Sequence, residues 1–133
     1  MAILTGKVEK GLGYASGRIE RCKSLLKEYG MEFPPFRLGT INIKLDSLFK
    51  TPAGHIYRTI FIPREEIDLV DQNVHNEDWW LVHVNKINGK DRAAWIYKTS
   101  TNYHGNSVIE ILAHDIGPEA TIGESISLEI VNE

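Results

Sequence analysis

The chain is poor in sulfur: one cysteine, Cys22, and two methionines in 133 residues. A single cysteine excludes an internal disulfide and suits a reducing compartment. It is also poor in positive charge, with 15 Lys and Arg against 18 Asp and Glu and a net charge of −3. That balance counts against a nucleic-acid partner, because phosphate neutralisation supplies most of such binding. It counts equally against an anionic membrane surface. No apolar run approaches the roughly 18 residues that span a bilayer. The start, "MAILTGKVEK", lacks a basic segment followed by a long apolar run, so no secretory signal is expected and the reading is a cytoplasmic protein. Repeats, low-complexity tracts and linkers are missing, which leaves one domain over residues 1–133. The five histidines, at 55, 75, 83, 104 and 114, include no pair at zinc-ligand spacing.

What the chain has is strand signal. "ILTGKVE", "GTINIKLD", "HIYRTIFI", "WWLVHVNKI", "RAAWIYK", "SVIEILA" and "ESISLEIV" are short apolar or alternating runs. In "GTINIKLD", Ile41, Ile43 and Leu45 face one way and Asn42, Lys44 and Asp46 the other. Asn88-Gly89 separates two of the runs and predicts a hairpin, since both residues tolerate positive φ. One helix is predicted where Ile19, Cys22, Leu25, Leu26 and Tyr29 form an apolar stripe. Ser16 is its expected N-cap and Gly30 its C′ residue. "PREEIDLV" predicts a short second helix. Strands that follow an early helix without βαβ alternation point to a closed or nearly closed β-barrel with one or two flanking helices.

Two stretches carry possible chemistry. "GLGYASG", residues 11–17, joins the first strand to the helix. Its G-x-G-x-x-x-G spacing is neither a dinucleotide fingerprint nor a P-loop. It is either a tight connection that needs positive φ or a place where backbone amides approach a phosphate. In "GTIN", Thr40 and Asn42 lie two apart on a strand and share a face. They are either the polar side of an amphipathic strand or neutral oxygen donors for a phosphate-bound Mg²⁺.

Together these stretches resemble the CTP-dependent riboflavin kinases of archaea. "GKVEKGLGYASG" resembles that family's opening G-x-V-x-x-G-x-G segment, and "FPPFRLGTINIKL" its P-Y-P-G-T-L-N strand. "AAWIYKTSTNYHGNSVIEILA" and "TIGESISLEIV" resemble its two closing strand segments, while residues 47–92 match poorly. The resemblance implies a small mainly β domain with α elements, a closed barrel of the cradle-loop kind. It implies transfer of the CTP γ-phosphoryl to riboflavin, giving FMN and CDP. It implies nucleotide contacts at Gly11, Leu12, Gly13, Tyr14, Ala15 and Ser16, with a second set at Asp115, Ile116, Gly117 and Pro118. Mg²⁺ would sit on Thr40 and Asn42. The flavin would meet Thr101, or alternatively Thr99, and Glu110, with Glu110 also the candidate catalytic group. The chain departs from the family pattern in places. Tyr14 and Ala15 stand where Glu and Gly are usual, Leu38 replaces the proline before Gly39, and "AHDIGP" has Pro118 at the position of an Arg. The missing Arg bears on donor choice.

Other readings stay open. The barrel is also compatible with a module that binds nucleotide or flavin without turnover, or with a regulatory barrel that holds no small ligand. Trp79 and Trp80 must point to opposite faces of their strand, so one is expected in the core. The other is a lid for a flat ring or an interface anchor. Cys22 lies on the apolar stripe and is expected to be buried packing. His104 is a loop residue near Thr101.

Overall fold

A computed structural model of the chain describes residues 2–10, 15–31, 39–49, 57–71, 76–101, 107–113 and 121–131. Six of the expected strand runs are realised, and of "HIYRTIFI" the second half: β1 (Ala2–Glu9), β2 (Gly39–Leu45), β3 (Thr59–Ile62), β4 (Trp79–Ile87), β5 (Lys90–Thr99), β6 (Val108–Ala113) and β7 (Ser125–Ile130). The sheet order is β3-β4-β5-β6-β2-β1-β7, and β4 also pairs with β7. That last pairing closes six strands into an antiparallel barrel and leaves β3 as an extra strand. The β4–β5 hairpin turns at Asn88 and Gly89, with φ of 52° and 78°. Positive φ at both central residues is what the tight primed turn requires.

Alternation on each strand builds two cores. Ile41, Ile43 and Leu45 face the barrel interior with Val82, Val84, Ile96, Ile109, Ile111, Ile126 and Leu128. The opposite faces of β4, β5 and β6 carry Trp79, Leu81, Tyr97 and Leu112, which pack under the helices. These strands are buried on both faces, which is why "WWLVHV" and "VIEILA" are nearly continuous apolar runs. Burial of each large side chain contributes roughly 1.5–3 kcal/mol.

The helical cover is α1 (Ala15–Arg21), α2 (Lys23–Glu28) and α3 (Arg64–Val70). The single helix expected over the stripe is therefore two. The junction is Cys22, at φ −105° and ψ 9°. Its amide is shared between the Arg18 carbonyl at 3.2 Å and the Ile19 carbonyl at 3.1 Å. Such a three-centre bond tightens the turn towards 3₁₀ geometry. The stripe survives the break, because Ile19, Cys22, Leu25 and Leu26 all enter the second core. Ser16 is not the N-cap. The helix takes in Ala15, the best helix former, and Ser16 lies inside its first turn. Gly30 has the expected left-handed φ of 87°.

The close approach of β1 to β2 depends on one missing side chain. Gly6 of β1 faces inward opposite Leu45. A Cβ there would stand 2.3 Å from the Lys44 carbonyl oxygen and 2.9 Å from Ile43 Cγ2. The first contact is backbone, so it is relieved only by moving β1 off β2. Gly6→Ala is therefore expected to lower stability by about 1–3 kcal/mol. Urea denaturation followed by tryptophan fluorescence checks this; an unchanged midpoint would show that β1 can shift freely.

Candidate functional site

The outer face of the barrel carries a row set by strand register. Asn42 on β2 lies directly opposite Glu110 on β6. Glu110 lies opposite Tyr97 on β5, and Tyr97 opposite Leu81 on β4. On the other flank Asn42 lies opposite Glu9 of β1. The row thus runs from apolar under the helices to polar at β2 and β1. Thr40 shares the face one step along, opposite Leu112. Asn42 is only 5% exposed, while Thr40 and Glu110 are half-buried. Helix α1 packs against β2 and roofs this end of the face.

From the roof comes Arg18. Its guanidinium lies 3.6 Å from the Glu77 carboxylate, with side-chain exposures of 13% and 7%. Glu77 also accepts a 2.7 Å hydrogen bond from the Thr101 hydroxyl. The Tyr97 hydroxyl belongs to the same cluster. Burial pushes its titration up; the adjacent Arg18 guanidinium opposes this, and the Glu77 and Glu110 carboxylates add to it. Burial also pushes the Lys98 ammonium down, opposed by Glu110. A buried cation and anion of this kind hold each other in place, since loss of either leaves the other uncompensated. A second pair, Arg21 with the buried Asp71, ties the same helix to the end of α3.

The structure therefore brings Thr40, Asn42 and Glu110 onto one face and places Thr101 on a cluster that shares its electrostatic surroundings. Ala15 and Ser16 lie in the first turn of α1. Gly11, Leu12, Gly13 and Tyr14, with Asp115, Ile116, Gly117 and Pro118, lie outside the described residues, as does His104. Thr99, the alternative to Thr101, is buried opposite Trp79. Against the profiles of known protein families and against curated protein sequences, the chain matches none. Among the described residues, no group of three or more His, Cys, Asp and Glu is placed to hold a metal. Among them too, no helix is long and apolar enough to cross a membrane.

Arg18, Glu77 and Tyr97 were not singled out from sequence. Arg18 directly follows the glycine segment, which is the one signal that marked it. Glu77 sits in a polar turn, "NED", with nothing to distinguish it from its neighbours. Of the tryptophans, Trp79 is the core residue, edge-on to Tyr97 with ring centroids 5.2 Å apart. Trp80 lies against Phe61 at 5.4 Å on the opposite face.

Two buried acids govern the alkaline limit. Burial and the Asp71 carboxylate raise the Cys22 thiol from 9.0 to about 11, against the opposing Arg21 guanidinium. Tyr97 is raised as well. Both groups hold their protons longer when folded, so their contribution is full below pH 9 and is lost as pH rises through the folded values. The melting temperature is expected to fall between pH 9 and 11, and Cys22→Ala to flatten part of that slope. At pH 8 a thiol reagent should leave the native protein unmodified and react on unfolding. Fast reaction of the folded chain would remove the assignment.

Proposed function

We propose that the protein is a phosphotransferase of the CTP-dependent riboflavin kinase type. The observation that carries the proposal is the register of β2 against β6, which sets Asn42 directly opposite Glu110 with Thr40 on the same face. Asn42, which the sequence resemblance assigns to the metal, and Glu110, which it assigns to the flavin, are thereby neighbours although 68 positions apart along the chain. The Thr101 hydroxyl is held by Glu77, which pairs with Arg18 of the helix that packs on β2, and this supports the same reading.

The donor set suits Mg²⁺. Thr40 offers a hydroxyl and Asn42 a carboxamide oxygen, both hard oxygen donors. They are few enough to leave positions for water and phosphate oxygens, which is how Mg²⁺ is usually held. The ion supplies charge neutralisation for the phosphoryl oxygens. In this reading Thr40 and Asn42 hold it, and the glycine segment with residues 115–118 holds the cytidine nucleotide. Thr101 and Glu110 hold the flavin. Glu110 accepts the proton of the ribityl 5′-hydroxyl as that oxygen bonds to the γ-phosphorus and the bond to CDP breaks. Phosphoryl transfer asks mainly for positioning and electrostatics, and a rigid barrel face provides a frame for both.

Incubation with riboflavin, Mg²⁺ and CTP is expected to yield FMN, separable from riboflavin by chromatography. ATP in place of CTP tests whether Pro118 and its neighbours have changed the donor. Asn42→Ala is expected to lower turnover by at least about tenfold. Full turnover in that variant would remove the metal assignment. Flavin or nucleotide bound without FMN formation would replace the kinase by a binding barrel.

A further inference from the structure

The Thr101–Glu77–Arg18 chain has a direction. A threonine hydroxyl has one proton to give and two lone pairs to offer. An ionised carboxylate only accepts. The Thr101 proton is therefore committed to Glu77, at 2.7 Å. Glu77 cannot turn away to water, because its side chain is 7% exposed and faces the Arg18 guanidinium. Thr101 itself is exposed. What it presents outward is its lone pairs alone.

We infer that Glu77, clamped by Arg18, is a positioning residue that makes the Thr101 hydroxyl a one-way acceptor, so that the flavin group meeting it is a hydrogen-bond donor. The inference rests on the flavin reading above. It excludes the ring carbonyls of the flavin as partners of Thr101 and leaves the imide N–H or a ribityl hydroxyl. A site committed to one polarity rejects a ligand that lacks the matching group more strongly than it rejects a change of shape.

The test is an equilibrium titration of flavin fluorescence with three ligands. Riboflavin has both donors, 3-methylriboflavin lacks the imide proton, and lumiflavin lacks the ribityl chain. The native protein should bind one of the two analogues at least about tenfold more weakly than riboflavin. Thr101→Val should weaken riboflavin by a similar factor and abolish the discrimination against that analogue. Thr101→Ser should restore both. Glu77→Gln keeps the size but adds an N–H that can face Thr101, so discrimination should shrink even where riboflavin still binds; a melting curve on each variant confirms that it is folded. The inference is overturned if native protein binds riboflavin and both analogues alike. It is overturned also if Thr101→Val binds riboflavin as native does, or if Glu77→Gln keeps full discrimination. Native protein that binds no flavin at all would instead overturn the kinase reading, and this inference with it.

Discussion

Everything in this molecule depends on the antiparallel pairing of β4 with β7 that closes the barrel. Closure gives each strand an inside and an outside. Inside, branched aliphatic side chains from six strands fill the space. Outside, the same strands present a second face, which the helices cover over β4, β5 and part of β6. The polar row begins where the apolar packing under the helices ends, with α1 still reaching β2. Asn42 and Glu110 share a neighbourhood because both strands are held in one register by the interior. A slip of one residue would send the polar side chains inward and the isoleucines outward.

Much of this was legible in the sequence, for physical reasons that differ by element. The strands announced themselves through alternation or unbroken apolar runs, and the β4–β5 turn through the tolerance of Asn88 and Gly89 for positive φ. The apolar stripe of the first helix predicted its buried face correctly. Its interruption at Cys22 left no trace, because a three-centre hydrogen bond needs no particular side chain. Ser16 misled, since a residue able to cap a helix is no proof that the helix begins there.

Thr40, Asn42 and Glu110 could be singled out one by one in the sequence but not as an arrangement. Thr40 and Asn42 were visible as a pair because strand periodicity alone puts them on one face. Their opposition to Glu110 depends on which strands pair and in what register, which is a long-range property. The Arg18–Glu77 pair was invisible for the same reason, joining a helix to a turn 59 positions away. Buried ion pairs leave no periodic signature, so they emerge only from three dimensions.

Strand β4 has one edge with two tenants. Its first half pairs with β3 and its second half with β7. The handover occurs at His83, whose amide bonds the Arg58 carbonyl while its own carbonyl accepts from Val131. Arg58 in turn bonds back to Val131. β3 therefore stands outside the pairings that close the barrel, and it and α3 are held to the sheet by the fully buried Ile62 and Ile67 of the second core. The fold is a closed ring with one strand added to its edge, and the same edge of β4 serves both.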